Sequence, residues 1–487
     1  MMRFIKRNWK LLCICLVSLI MFFPSLFGFY TNDDFFDLKI SHFHSLTDFL
    51  NSFNLLKGPE GWGLYRPLTV QVFFSSAWTI FNLNPFYLHI VLFIMFFILI
   101  FLVYWFILLI SKNEKMSLVV TFLYATSATH FGHLYFLSTQ ELGLGIFVLL
   151  SIIYGLKFFR EGKKIYYAIS LIAFILSICS KETAVITPFL LATVVVFDRL
   201  FDRKEPDFKK LIYRLVPYLT ILVIYFYFRI FHYGFTTGDS YVWNFSVKRL
   251  MNTLTWYFVW SFNLPESLVD FLGPGIHINP NLWLYWSKQI IPILILFVVE
   301  IFVFIYAFVK SLIINRKPVI GLFAFSVLWF LVSILPVAFL PLHKFTFYLT
   351  LPLIGIVFLL SYLFTNLKSK IYIIFCIVWI SLSILTIKYA VNTNWITQGE
   401  AVSQRVYDYF LQNKSDFSGK AIVFVDTPDD ATLPWSPTAT LKTVLSDKNF
   451  FDVFYPDLSA KVNYTGLAKP SFKPGTEIIG SRQFLGY

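Results

Sequence analysis

The chain has 487 residues, of which 57% are hydrophobic, 20% aromatic and only 14% charged, with a mean hydropathy of +0.70. A soluble protein carries roughly 25% charged residues, so the composition excludes an ordinary soluble globular protein and points to a chain that crosses a membrane many times. The net charge of +13 does not indicate a nucleic-acid binder, because the basic residues lie between apolar runs, where membrane orientation places them.

Apolar runs long enough to cross a ~30 Å hydrocarbon layer fall near 11–29, 86–110, 117–134, 141–158, 165–180, 183–198, 213–232, 288–311, 319–338, 345–365 and 371–389. They predict an all-α polytopic fold of about eleven transmembrane helices. The basic amino terminus leads into the first run without a small-x-small cleavage site, so 11–29 is expected to stay as an anchor. The apolar segment 68–82 is short and ends in Asn-Leu-Asn-Pro, which predicts a helix lying on the outer surface.

Charge patterning orients the spans. With the amino terminus inside, the inner segments collect clusters such as Lys157, Arg160, Lys163 and Lys164, and Arg199, Arg203, Lys204, Lys209, Lys210 and Arg214. The outer loops hold only Lys39, Lys57, Arg66, Lys181, Lys248, Arg249 and Lys344. A spanning 68–82 would invert every later loop and break the positive-inside bias. The two long outer loops are then 30–85 and 233–287. The second is rich in tryptophan (Trp243, Trp256, Trp260, Trp283, Trp286), which predicts a segment lying along the membrane at headgroup level.

Cys13, Cys15, Cys179 and Cys376 all fall in apolar segments, so no disulfide framework is expected. After about residue 390 the composition changes. Residues 401–412 read as an amphipathic helix, AIVFVD at 421–426 as a strand, TATLKTVL at 438–445 as a helix and FDVFYP at 451–456 as another strand. The chain is thus expected to divide into a transmembrane domain, 1–390, and a small extracytoplasmic α/β domain, 391–487.

Ionisable residues close to the hydrocarbon are costly, so their recurrence at the outer helix ends points to function. Asp33 and Asp34 open the first outer loop; a carboxylate there suits a general base taking a proton from an attacking hydroxyl. If the loop is extended, the two side chains face opposite sides; a solvated loop charge or a helix amino terminus for FFDLKI is the alternative. Arg66, before a proline that favours an extended residue, presents a guanidinium suited to bidentate phosphate binding, or to snorkelling toward headgroups. Ser180-Lys181-Glu182-Thr183 forms the whole turn between two spans: Lys181 can reach a lipid phosphate with Glu182 holding it, or the turn simply favours polar residues. His343 and Lys344 stand at a similar turn. His130 and His133 share a helical face with Glu141 after them, yet they make no complete metal-ligand set.

Taken together these segments resemble the GT-C membrane glycosyltransferases: the protein O-mannosyltransferases, the lipid A aminoarabinose transferases and the transmembrane-TPR mannosyltransferases. Asn-Asp-Asp at 32–34 is similar to the Asp-Asp or Asp-Glu of their first outer loop. Tyr-Arg-Pro-Leu-Thr at 65–69 is similar to the Tyr-Arg-Pro-Leu of the transmembrane-TPR group. Thr-Gln-Glu-Leu at 139–142, Ser-Lys-Glu-Thr with Pro188, and His343-Lys344 through Tyr348 and Pro352 resemble later motifs, although His343 stands where the family has an acid and no TPR repeats follow. The resemblance covers about residues 9–389 and implies inverting transfer of a sugar from a polyprenyl-phosphate donor to an acceptor hydroxyl of a protein, glycolipid or cell-wall polymer. It implies Asp33 as base with Asp34 beside it, and Arg66, Lys181 and Lys344 at the departing phosphate. It also implies Glu141, Glu182, His130, His133, His343, Tyr65 and Tyr348 around the acceptor and base. The family includes members with and without a divalent metal, and no cofactor is implied with certainty. A flippase for lipid-linked sugars is the competing reading and a non-catalytic membrane scaffold the third. Flippases often carry internal repeats with broken helices, which this sequence lacks.

Overall fold

In the computed structural model the described residues are 2–56, 63–201, 207–234, 238, 240–273, 277–365, 369–417, 419–467 and 475–486. Of the charges used above for orientation, Lys57, Arg203 and Lys204 lie outside them. The chain is a mostly helical membrane protein; its described residues also form a small three-stranded parallel sheet and a two-stranded antiparallel pairing of Leu272–Gly273 with His277–Ile278. Among the described residues seven helices are long and apolar enough to cross a membrane, and Lys164–Ile178 and Pro352–Thr365 are shorter apolar helices.

Local chemistry sets the helix ends. The helix Pro85–Ser111 starts where the Asn84 side chain accepts from Phe86 N at 3.1 Å with proline at its first position, and it stops where Lys112 turns left-handed at φ 53°. The run expected as one span over 117–134 is interrupted. Helix Glu114–Ala125 ends, and short turns at Ala128–His130 and Phe131–Tyr135 follow, all buried. The cause lies in the distant second loop: Asn263 Oδ1 accepts from Ser127 Oγ and Ala128 N, both at 2.8 Å, and draws the chain out of the helix. The spans expected at 288–311 and 319–338 are two helices within Asn281–Ala338, separated by a kink where Asn315 leaves helical geometry (φ −149°, ψ 62°). The expected span 345–365 becomes helical only at Pro352, after a 3-10 turn at Thr346–Leu349.

Residues 68–82 hold a π-turn, Pro67–Val72, and a short helix, Phe73–Thr79, with Val70, Phe74 and Ala77 fully buried and Thr79 and Ile80 exposed. Leu68 N donates to Cys179 O at 3.1 Å, pinning the segment to the turn before Lys181. In the second loop Trp260 is fully buried and packs on Tyr257, so only part of that loop's indole surface is exposed.

The carboxy-terminal segment begins with helix Trp395–Gln412, called α1 here. Three parallel strands follow, β1 (Ala421–Val425), β2 (Val462–Thr465) and β3 (Thr476–Gly480), with β1 central. Residues 451–456 do not form the expected strand. Asn449–Phe454 is a helix, α2, because its phenylalanines serve two faces: Phe451 packs on Phe410 of α1 while Phe450 packs on Phe35 of the first outer loop.

Candidate functional site

Asp33 and Asp34 are the first two residues of a helix, Asp33–Ile40, and not an extended pair. That choice matters chemically: in a helix, residues one turn apart share a face, so Asp37 joins them. Asp34 and Asp37 are buried while Asp33 retains exposed surface. Burial raises the Asp33 carboxyl above the usual carboxylate range, against the lowering effect of Arg66. Burial brings Asp34 up to about 7, opposed by the hydrogen bond from Ser138, whose Oγ donates to Asp34 Oδ1 at 2.7 Å. Burial, then the Asp33 charge, holds Asp37 well above the usual range.

Arg66 is buried against the next motif. Its Nε and Nη2 donate to Glu182 at 2.9 and 2.5 Å, and Nη1 donates to Gln140 Oε1 at 3.0 Å. Burial alone would lower this guanidinium's pKa, but the Glu182 carboxylate overcomes it and keeps Arg66 charged. The backbone at Arg66 (φ −140°, ψ 52°) is set by the following proline. Lys181 forms a buried ion pair with Glu141 and lies over the Tyr348 ring, 4.6 Å from its centroid. Burial lowers Lys181, Glu141 opposes that, and the Arg66 charge adds to it. Tyr348 OH and His343 Nε2 are 2.8 Å apart. Burial, with Lys181 and Arg66 nearby, brings His343 down to about 3, so it is neutral at physiological pH.

The described residues therefore bring together Asp33, Asp34, Arg66, Glu141, Lys181, Glu182, His343 and Tyr348. Lys344 is elsewhere: its Nζ donates to Asn252 Oδ1 at 3.2 Å, and its charged neighbours are Arg249 and Asp270. Adjacent residues at a turn point apart, so His343 faces the cluster and Lys344 does not. Tyr65 also points away, its hydroxyl donating to Phe53 O at 2.9 Å. His130 Nε2 contacts Tyr124 O at 2.8 Å and His133 Nε2 contacts Thr350 Oγ1 at 2.5 Å; burial holds both rings neutral, and they brace the interrupted helix. Asp37, Ser138, Gln140 and Tyr241 were not singled out from the sequence. Only Asp37 had a signal, four residues after Asp33, visible once the segment is read as a helix.

Beside the cluster runs an apolar cavity of about 650 Å³. Phe189, Phe226, Trp243, Phe245, Val332 and Phe339 wall it, and Glu182, Arg229, Tyr241 and Tyr348 are among its polar lining residues. Among the described residues no group of three His, Cys, Asp or Glu is placed to hold a metal ion.

No protein-family model, no curated protein and no solved structure matches the chain.

Proposed function

We propose that this chain is a membrane glycosyltransferase of GT-C type that moves a sugar from a polyprenyl-phosphate donor to an acceptor hydroxyl on the extracytoplasmic side. The observation that carries the reading is the 650 Å³ apolar cavity whose lining includes Glu182, Tyr241 and Tyr348, with Arg66 paired to that same Glu182 and Asp33 within electrostatic reach of Arg66. An apolar trough suits a lipid tail, and a buried guanidinium suits its phosphate.

In this mechanism Asp33 takes the acceptor's hydroxyl proton as the oxygen attacks the anomeric carbon. The bond from that carbon to the phosphate oxygen breaks, with inversion, and the electron pair leaves on the polyprenyl phosphate. Arg66 meets that developing charge, which is where preorganised cations are most effective. Glu182 keeps two of the guanidinium nitrogens in register, and the neutral partner, Gln140, is the one a phosphate oxygen displaces. Lys181 is committed to Glu141, so it balances that acid and does not meet the phosphate alone. Lys344 has no part in the donor site.

The test uses purified protein with a labelled polyprenyl-phosphate sugar and an envelope fraction as acceptor. Released lipid phosphate and labelled acceptor are expected, and Asp33→Asn is expected to lose ~10²–10⁴ in rate while remaining folded. Intact donor crossing the bilayer without release would replace this reading with lipid transport.

A further inference from the structure

The Asp33 turn is held from outside the membrane helices. Asn32, immediately before the acid, has φ 49° and ψ −119°, a conformation that a non-glycine residue keeps only where its surroundings impose it. Those surroundings come from the carboxy-terminal segment. Asn32 N donates to Val444 O at 2.8 Å, and Ser403 Oγ donates to Tyr30 O. Phe29 packs on Tyr407 with ring centroids 5.4 Å apart, and Phe35 on Phe450 at 5.2 Å. Beyond the turn, Lys39 pairs with Asp452 at 2.7 Å.

The closest approach is at Gly399. A Cβ there would lie 2.3 Å from Thr31 Oγ1 and 3.1 Å from Asn32 Oδ1. Gly399 sits inside α1, so the requirement is for space and not for unusual backbone angles. Gly399, Ser403 and Tyr407 follow at four-residue intervals and form one stripe of α1, laid against residues 29–32.

We infer that the carboxy-terminal segment is a positioning domain for Asp33, and that Gly399 is the positioning residue through which α1 sets the turn. The kinetic part rests on the glycosyltransferase reading. The coupling needs no other ligand: α1 fixes Thr31 and Asn32, Asn32 fixes where the helix Asp33–Ile40 begins, and that origin aims Asp33. Small displacements of a catalytic group are costly, about 10²-fold for 1 Å, so a methyl group at Gly399 is enough to act.

The experiment compares wild type, G399A, T31A and the double variant as full-length purified proteins. Alanine suits a helix interior, so G399A is expected to fold with an unchanged elution profile. G399A is expected to lower kcat by at least about 10-fold, with donor KM within about 2-fold. T31A removes the oxygen that the new methyl meets, together with its hydrogen bond to Asn32 Oδ1, so the double variant is expected to regain kcat to the level of T31A alone. A merely structural interface would not produce this split and rescue. Unchanged kcat in G399A, or a loss that T31A does not relieve, overturns the inference.

A second readout is independent of the reaction. Amide hydrogen exchange over residues 29–36 is expected to accelerate in G399A and to slow again in the double variant. If wild type releases no lipid phosphate, the transferase reading fails, and the exchange data alone decide the coupling: accelerated and rescued exchange upholds it, and wild-type exchange in G399A refutes it.

Discussion

Asp34 shows how burial moves an acid's titration toward neutral pH. Its carboxyl moves from the ordinary 3.8 to about 7, which corresponds to about 4 kcal/mol between protonation states. Because the folded-state value is the higher one, the folded protein binds the proton more tightly. The contribution is therefore fully present below pH 3.8 and is lost as pH rises toward 7. The melting temperature is expected to fall over that interval, and Asp34→Asn, which keeps Asp34's place but carries no proton to lose, is expected to flatten the profile. A slope unchanged in the variant would show that Asp34 does not titrate there. Asp33 is also raised, so turnover is expected to climb with pH through a midpoint above the usual carboxylate range, as a base requires. Asp37 is held protonated by burial and the Asp33 charge, so Asp37→Asn is expected to leave that midpoint in place, and a midpoint that moves down in the variant would show that Asp37 carries charge while Asp33 titrates.

Between elements, the site depends on how closely two of them approach. A Cβ on Gly143, in the helix Glu141–Glu161, would lie 2.4 Å from Thr69 Cγ2, and Thr69 Oγ1 donates to Ser180 O. Three sequence-distant segments carrying Glu141, Arg66 and Lys181 thus meet within one side chain. Gly143→Ala overpacks that junction and is expected to cost about 1–3 kcal/mol, read as a lowered melting temperature; adding Thr69→Ser, which removes the methyl, is expected to restore most of it. The Arg66–Glu182 fork makes a second demand. Lysine carries the charge but not the planar pair of donors, so Arg66→Lys is expected to lower kcat/KM for the donor by about 10² or more. A variant with wild-type kcat/KM would remove Arg66 from the phosphate site.

For the whole molecule, orientation is directly measurable. A membrane-impermeant thiol reagent applied to intact cells is expected to label Ser415→Cys, exposed in the carboxy-terminal segment, and to reach Asn113→Cys only after permeabilisation. The reverse pattern would place the acid cluster on the cytoplasmic face. The helical membrane class was legible in the sequence because desolvating backbone in lipid leaves almost no alternative to long apolar helices. Asp33, Arg66 and Lys181 stood out for a related reason: charge beside hydrocarbon is too costly to be incidental. Asp37 was hidden behind the adjacent Asp33-Asp34 pair; an extended chain would line Asp37 up with Asp33 alone, and only the helix brings all three acids to one face. Lys344 looked equivalent to His343 because adjacent letters in a sequence carry no direction. The helix Asn449–Phe454 was mistaken for a strand because an aromatic run of six fits either period until its partners are known.

What the sequence determined by itself was therefore the solvent: a chain this apolar, with basic residues between its runs, has to cross a membrane as helices. What only the tertiary structure decided was direction and company — which acids are buried, which cation is already paired, and that Thr31 and Asn32 are held by a helix starting at residue 395. Burial and periodicity are local sums that a sequence displays. Long-range approach depends on atoms from segments hundreds of residues apart occupying the same few ångströms, and no local pattern encodes it.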